Sequence, residues 1–220
     1  SITNNAADGN GGGVYYASTT SSEDAIISNS AKIEKNKAAY GGGVYVTRGT
    51  VNMSGGSITG NSVSKDVDAS STEANAAGGG VYVCGTGTSY PGEFTLSGTA
   101  KITGNSVGEN GMGGGVYVYK YGAFTMNGGE ISSNTADSFG SNGAGVVVYI
   151  GAFNMTDGKI TGNKTNGAGG GVYVVEYLAP SGEEDLRTEF NMTGGEITNN
   201  EAGSEGGGIW AGYALNMSGT

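Results

Sequence analysis

The sequence predicts an all-β protein, specifically a right-handed parallel β-helix (a three-sided β-solenoid) of about seven coils. Three observations support this prediction. A sequence unit recurs along the whole chain, each unit holds three short segments of alternating apolar and polar residues, and Gly and Asn lie between the segments. A fixed period is typical of solenoids, in which each repeat packs only against its neighbours. Right-handed coiling is the usual connection between parallel strands.

The first segment of each unit follows a run of glycines and reads Val-Tyr-Val or a close variant. Side chains alternate across a strand, so Val44 and Val46 are expected inside and Tyr45 outside. Seven copies of this segment are present, and their glycine runs begin at Gly11, Gly41, Gly78, Gly113, Gly143, Gly169 and Gly206.

The second and third segments of each unit also alternate. Phe124-Thr-Met126 illustrates the second segment and Ile131-Ser-Ser-Asn134 the third, with Phe, Met and Ile expected inside and Thr125 and Ser132 outside. Identical segments that recur without hairpin turn signals favour parallel stacking of like on like. The residue before the Ile alternates in charge over four units, which indicates stacking in register. These residues are Lys101, Glu130, Lys159 and Glu196.

The Asn that ends the third segment forms a column along the predicted solenoid. Asn tolerates the left-handed conformation that a corner needs, and stacked side-chain amides can hydrogen-bond from coil to coil. We interpret this column as a structural ladder, with a row of ligand-binding amides as the alternative. Its members are Asn36, Asn61, Asn105, Asn134, Asn163 and Asn200.

The outward position of the first segment carries an aromatic column, interrupted only by Val147. Two interpretations are open: the aromatic residues stabilise each other across the coils, or they form an exposed binding surface that stacks sugars or another rod. Tyr90 and Tyr177 lie in insertions between the repeats and could extend such a surface, although we favour the interpretation that these loops are tolerated surface insertions. The aromatic column comprises Tyr15, Tyr45, Tyr82, Tyr117, Tyr173 and Trp210.

Composition excludes several classes of function. The chain has 220 residues, a formal net charge of −10 and no His, which disfavours nucleic-acid binding and removes His-dependent catalysis. Its single cysteine, Cys84, is expected as an inert, buried thiol. No cofactor motif, metal motif or membrane span is predicted in this segment, and no residue is nominated as catalytic.

We expect residues 1–220 to form one β-helix segment. The chain begins with the third segment of one repeat and ends just after the second segment of another, so both ends fall inside the repeating pattern. Solenoids hide their end coils under polar caps, so this phase suggests a fragment of a longer repeat protein.

The paired motifs resemble those of known surface proteins. Ile102-Thr-Gly-Asn105 followed by Gly113-Gly-Gly-Val-Tyr117, together with the equivalent pairs elsewhere, is similar to the repeats of chlamydial polymorphic outer-membrane proteins. It also resembles the β-helical repeats of large adhesin-like surface proteins of microbes. The resemblance covers essentially the whole chain and implies a β-helical stalk or passenger at the cell surface.

These observations predict an extracellular or cell-surface microbial module that is adhesin-like and non-catalytic, with a glycan or a host or microbial surface protein as its partner. The first alternative is a structural protein that self-associates into filaments, end to end or side by side. The second is a carbohydrate-active β-helix enzyme, a polysaccharide lyase or glycoside hydrolase, which would need clustered carboxylates.

Overall fold

The fold was analysed in a computed structural model, which describes residues 1–18, 24–63, 76–138, 140–175 and 188–219. These residues form 23 strands and no helix, and therefore contain no helix that could cross a membrane. Strand pairing is parallel throughout: each paired strand meets the equivalent segment of a neighbouring repeat. The all-β character and the parallel, in-register stacking predicted from the repeats are confirmed.

The Val-Tyr-Val segments form one column of parallel strands. Val44 pairs with Val81, Val116 with Val146 and Val172 with Ile209, so the register follows the sequence repeat without a shift over most of the column. The strands of this column are Val14–Ala17, the first part of Val44–Met53, Val81–Val83, Val116–Val118, Val146–Val148, Val172–Val174 and Ile209–Ala211.

The second and third segments differ from the prediction in one respect, because in three consecutive repeats they belong to a single long strand. These strands are Gly92–Thr103, Gly122–Ser132 and Ala152–Thr161. Register shifts between the two halves mark irregular pairing where the segments join. In the other repeats the two segments form separate strands. The second segment forms the strands Ala25–Ile27, Glu189–Met192 and Ala214–Met217. The third segment forms the strands Ile2–Thr3, Lys32–Glu34, Ser57–Thr59 and Glu196–Thr198.

A further sheet, which the sequence did not predict, directly follows the Asn column. It has six strands of two residues each, too short for an alternating pattern to show in the sequence. The strands are Lys37–Ala38, Ser62–Val63, Ser106–Val107, Thr135–Ala136, Lys164–Thr165 and Glu201–Ala202.

The core consists of stacked equivalent side chains, as the alternation predicts. Val44, Val46, Phe124, Met126 and Ile131 are all fully buried in one continuous cluster. The Phe rings of four successive repeats also pack against one another, with centroids 4.7–5.8 Å apart. Burial of this repeated apolar set supplies the main driving force for folding.

Ser132 corrects one expectation about the outer face. It was expected to lie outside, yet it is only 7% exposed. Its pairing partners in the neighbouring repeats are the larger Thr103 and Thr161, and its hydroxyl oxygen lies within hydrogen-bond distance of Thr103 Oγ1, at 3.2 Å. A small side chain between two larger ones loses its contact with solvent.

The alternating charges meet as predicted. Lys101 pairs with Glu130 at 3.2 Å and Lys159 with Glu196 at 3.1 Å. A hydrogen bond from Ser132 and the charge of Lys101 lower the pKa of Glu130 below its usual value. Such exposed pairs contribute little stability, but their alternation disfavours other registers.

Candidate functional site

The aromatic column lies on the face of its sheet opposite to the core. Tyr82 and Tyr117 belong to a hydrophobic cluster that is separate from the one formed by their neighbours Val81 and Val116. The predicted alternation of Val inside and Tyr outside is therefore confirmed. The column forms the inner layer of a second, smaller packed region on the outside of the sheet.

The rings of the column stack on one another. Tyr15, Tyr45, Tyr82 and Tyr117 follow in sequence, with centroids 4.9–5.3 Å apart and interplanar angles of 5–24°. Tyr173 stacks on Trp210 at 4.6 Å beyond the interruption at Val147. Stacking at the repeat distance supports the interpretation that these residues stabilise each other across the coils.

The second interpretation, in which the whole column is an exposed surface, is wrong at the centre of the column. Tyr15 is 55% exposed, but Tyr82 is 7% exposed and Tyr117 only 1%. The reason is that Tyr40 and Tyr119 pack against the same cluster from positions that flank the Val-Tyr-Val segment. Tyr119 also lies 6.2 Å from Tyr117 and 6.3 Å from Tyr82, between ring centroids.

Stacking also limits what the column can bind. Two interior rings have an aromatic neighbour on both faces: Tyr45 lies between Tyr15 and Tyr82, and Tyr82 lies between Tyr45 and Tyr117. A sugar therefore cannot lie flat on the interior rings, as the stacking hypothesis requires. A ligand at the centre of the column would instead contact ring edges and phenolic hydroxyl groups.

A groove of about 360 Å³ opens beside the centre of the column, and we call it the tyrosine groove. Its volume falls within the range of small-ligand sites, about 300–1,000 Å³. Five tyrosines line it: Tyr40, Tyr45, Tyr82, Tyr117 and Tyr119.

Further polar lining comes from the ends of neighbouring strands. Thr47, Cys84 and Tyr119 each follow a Val-Tyr-Val segment by one residue, so alternation places them on the same face as the aromatic column. Lys120 and Thr86 extend this lining at the same end of the sheet. Among the described residues that line the groove, Lys120 is the only one that carries a charge at neutral pH.

Cys84 is part of the wall of this groove. It follows the strand Val81–Val83 directly, is 7% exposed, and its sulfur lies 3.3 Å from the Tyr45 hydroxyl oxygen. Burial raises the pKa of the thiol, even though hydrogen bonds with Tyr45 and Thr47 act in the opposite direction. The expected burial is confirmed, and a thiol in this environment is a poor nucleophile.

The pKa values of three tyrosines of the aromatic column are raised, so their hydroxyls stay protonated at neutral pH. Burial raises the pKa of Tyr45 and of Tyr82 well above the usual value, and burial likewise raises the pKa of Tyr173, with the charge of Glu205 adding to it. Each neutral phenol can both donate and accept a hydrogen bond. The phenols of Tyr45 and Tyr82 are therefore neutral hydrogen-bonding groups in the wall of the groove.

Of the two loop tyrosines, Tyr90 lies outside the groove and is 59% exposed. Thr86, in the same loop, does line the groove, and its backbone N–H donates to the Tyr90 carbonyl at 3.1 Å. Tyr177 lies outside the described residues.

The Asn column forms a hydrogen-bonded ladder. The side-chain Nδ2 of Asn105 donates to Asn134 Oδ1 at 3.0 Å and to the carbonyl oxygen of Ile58 at 3.0 Å. Its Oδ1 accepts from the backbone N–H and the side chain of Asn61. The same geometry runs from Asn36 to Asn200, and Asn5 extends it by one member.

The left-handed corner is displaced by one residue from where the sequence suggested it. The positive φ angle belongs to the residue before the ladder Asn, for example Lys35, Gly104 and Ser133. The ladder residues Asn36, Asn61, Asn105, Asn134 and Asn163 are fully buried and use their amides within the ladder. This arrangement supports the structural interpretation of the column.

Sequence reasoning missed Tyr40, Tyr119 and Lys120 as lining residues. The signal for Tyr119 was available, because a residue two positions after Tyr117 shares its face of the strand. Tyr40 precedes a glycine run at a position that bridges to Ala77 in the next repeat. No group of three or more His, Cys, Asp or Glu residues arranged to hold a metal occurs in the described part of the chain.

No protein-family model matches the chain, and neither a curated protein nor a solved structure is significantly similar to it.

Proposed function

We propose that the chain is a segment of a right-handed, three-sided parallel β-helix of about seven coils. The support is that equivalent segments of successive repeats pair in parallel and in register, in the first column from Val14 to Ile209. Consecutive segments along the chain thus belong to different columns, as the turn of a solenoid requires. The handedness rests on the general preference of parallel crossover connections.

We further propose that this segment is a non-catalytic, adhesin-like binding module of a microbial surface, which binds a glycan or a protein through the tyrosine groove. The observation that carries this proposal is the groove itself, a concave site of about 360 Å³ lined by five tyrosines on the outside of the repeat sheet. Tyr is favoured at binding sites because its ring buries area while its hydroxyl bonds to the ligand. The surface location rests on the resemblance of the repeats to surface adhesins.

Binding to a panel of mucins, plant polysaccharides, bacterial glycans and surface proteins tests this proposal. The informative variant is Tyr45→Phe with Tyr119→Phe, which keeps both rings and removes two groove hydroxyls. Tyr15→Phe is the matched control, because Tyr15 belongs to the same stack but does not line the groove. We expect saturable binding that weakens about tenfold in the double variant and is unchanged in the control.

The same preparations test the alternatives. Release of new sugar ends would favour the carbohydrate-active enzyme, and concentration-dependent rods in sedimentation and electron microscopy would favour the filament. Saturable binding that is equally strong in the double variant would place the site elsewhere on the surface. Absence of binding to every ligand in the panel would contradict the binding module.

A further inference from the structure

The first and last repeats of the array have open strand edges. Among the described strands, Ile2–Thr3 pairs only with Lys32–Glu34, and Ile209–Ala211 pairs only with Val172–Val174. Unpaired backbone groups at such edges are a template for the addition of a further β-strand. Both ends of the parallel columns are therefore candidate interaction surfaces.

The Asn ladder gives these two ends opposite hydrogen-bonding character. Each interior Asn donates its backbone N–H and one side-chain N–H to the Oδ1 of the Asn in the following repeat, as Asn105 donates to Asn134. In the last repeat, the same two N–H groups of Asn200 have no acceptor among the described residues. In the first repeat, the Oδ1 of Asn5 has no donor in the described part of the chain. One end thus offers two donors, and the other end offers the matching acceptor.

The second side-chain N–H of the ladder has a direction as well. Asn36 donates it to the carbonyl oxygen of Ile2 in the preceding repeat, at 3.0 Å. Asn5, which has no preceding repeat in the array, donates instead to the carbonyl oxygen of Thr3 at 3.3 Å. The residue of the last repeat that is equivalent to Ile2 is Ile197. Its carbonyl group, placed before Asn5, would restore the partner that the interior repeats use.

Apolar surface that the interior repeats bury is accessible at both ends. Ile2 is 38% exposed and Met217 is 60% exposed, whereas the equivalent Ile131 and Met155 in the interior are fully buried. A groove of about 370 Å³ also opens beside Met217 in the last repeat. Burial of this surface against another repeat of the same kind would favour association.

The aromatic column likewise has one unstacked ring face at each end. Tyr15 stacks on Tyr45 at 5.3 Å, and Trp210 stacks on Tyr173 at 4.6 Å. Because Tyr15 and Trp210 are the terminal members of the column, the outer face of each ring is directed toward the end of the array. Contact between these two faces would continue the stack.

We propose that the last repeat of one copy of this chain docks on the first repeat of a second copy, head to tail. In this arrangement Asn200 donates to Asn5, Ile197 meets Ile2 and Trp210 meets Tyr15. Two first repeats in contact would instead oppose acceptor to acceptor, and two last repeats would oppose donor to donor. The ladder therefore selects the head-to-tail contact over either contact between identical ends.

This contact extends the interface that already joins neighbouring repeats within the chain. A head-to-tail contact along the array leaves one open end on each outer copy, so copies add into a rod instead of closing into a dimer. The rod shape rests on the β-helix proposed above. The contact uses the edges of the end repeats, whereas the tyrosine groove lies on the outer face of a sheet, so this inference is independent of the proposed binding function.

The net charge of the chain opposes this association. Each copy carries a formal net charge of −10, so two copies repel each other at low ionic strength. Salt screens this repulsion while leaving the apolar and hydrogen-bonded contacts in place. We therefore expect the association to strengthen as salt is added.

Sedimentation velocity of the whole chain, over a range of protein concentrations at low and high salt, tests the proposal. Ile2→Lys blocks the first repeat and Met217→Lys blocks the last, because each places an ammonium group in the buried part of the contact. Ile26→Lys and Asn216→Lys are the matched controls. Both lie in the end repeats but are exposed on the outer face, where Ile26 is 73% exposed.

The decisive sample is an equimolar mixture of the two blocked variants. The Ile2→Lys chain keeps an intact last repeat, and the Met217→Lys chain keeps an intact first repeat. We expect each blocked variant alone to associate at least about a hundredfold more weakly than the unchanged chain, because an unpaired charge is costly to bury. The mixture should form a one-to-one dimer and nothing longer. The two control variants should associate like the unchanged chain.

Three results would overturn the proposal. The first is an unchanged chain that stays monomeric at all salt concentrations up to about 1 mM protein. The second is a dimer of either blocked variant alone, which would show contact between identical ends. The third is a mixture that stays monomeric although circular dichroism shows that both variants are folded. Ligand binding to the groove, measured on the Ile2→Lys monomer, decides the proposed function separately.

Discussion

At the scale of single residues, the Asn ladder shows why one residue type recurs at one position. An amide has two N–H donors and two acceptor lone pairs, and Asn105 uses all four within the ladder. Asp lacks the donors, and Ser has too few groups to replace them. The ladder therefore satisfies polar groups that would otherwise be unpaired inside the protein.

Asn105→Ala tests the energetic contribution of this ladder. The change removes the acceptor for two donors of Asn61 and the donor for the Ile58 carbonyl and for Asn134 Oδ1. Leaving several buried groups unpaired should lower the free energy of unfolding by about 3–5 kcal/mol, measured by denaturant titration.

Asn154→Ala is the matched control for this change. Asn154 lies on the outer face, is only half-buried and accepts one hydrogen bond, from Asn191 at 3.0 Å. Its removal should cost below about 1 kcal/mol. Equal losses in both variants would contradict a special role for the buried ladder.

At the scale of elements, glycines in this chain serve two different purposes. A Cβ added to Gly114 would lie 2.5 Å from the Thr135 carbonyl oxygen and 2.8 Å from that of Ala144, so the glycine allows close backbone approach. Gly104 has no neighbour within 4 Å of such a Cβ, but its φ angle is +63°. Its role is conformational, and Ser133 fills the equivalent position in the next repeat.

This difference predicts contrasting substitutions. Gly114→Ala should lower the free energy of unfolding by about 3 kcal/mol or more, because rigid backbone on two sides cannot move away. Gly104→Asn should cost below about 1 kcal/mol, because Asn tolerates the left-handed region. Denaturant titration of both variants provides the comparison, and a larger loss for Gly104→Asn would reverse the assignment of roles.

In the aromatic column, the alternation of residues within one segment predicts the face on which a side chain lies but not how deeply that side chain is buried. Alternation correctly placed Tyr82 and Tyr117 opposite to the valines. It did not predict their burial, because the covering side chains of Tyr40 and Tyr119 come from outside the segment and partly from other repeats. Exposure depends on what packs over a face, and that information is non-local.

At the scale of the whole molecule, each repeat contacts mainly the repeats before and after it. Val118 pairs with Val83 and Val148, and Ile131 with Ile102 and Ile160. Stability in such an array is approximately a sum of repeat and interface contributions. If one complete repeat is removed, the strands of the repeats on either side of it should therefore be able to pair with each other.

Deletion of residues 146–171 tests this expectation. The deletion joins Gly145 to Val172, which pairs with Val146 in the intact chain, so every remaining segment keeps an equivalent neighbour. We expect a cooperative, β-rich fold that resists limited proteolysis and has somewhat lower stability, assessed by circular dichroism and protease digestion. Stacking of Tyr173 on Tyr117 should replace the interruption at Val147.

Deletion of residues 146–158 is the out-of-phase control. It removes part of a repeat and leaves Val116–Val118 without the adjacent equivalent strand. Protease sensitivity of this variant together with resistance of the in-phase variant would support the repeat as the structural unit. Loss of structure in both variants would show that the array depends on longer-range interactions.

The sequence by itself determined the all-β class, the parallel register, the core side chains and the position of the Asn ladder. Each of these follows from the period of the repeat and from alternation along a strand, which are local or repeated properties. Only the tertiary structure showed the two-residue strands, the burial of Tyr117 and the tyrosine groove with Lys120. The physical reason is that a groove is formed by side chains of several repeats and strand ends at once, and their relative depth depends on packing that no single repeat contains.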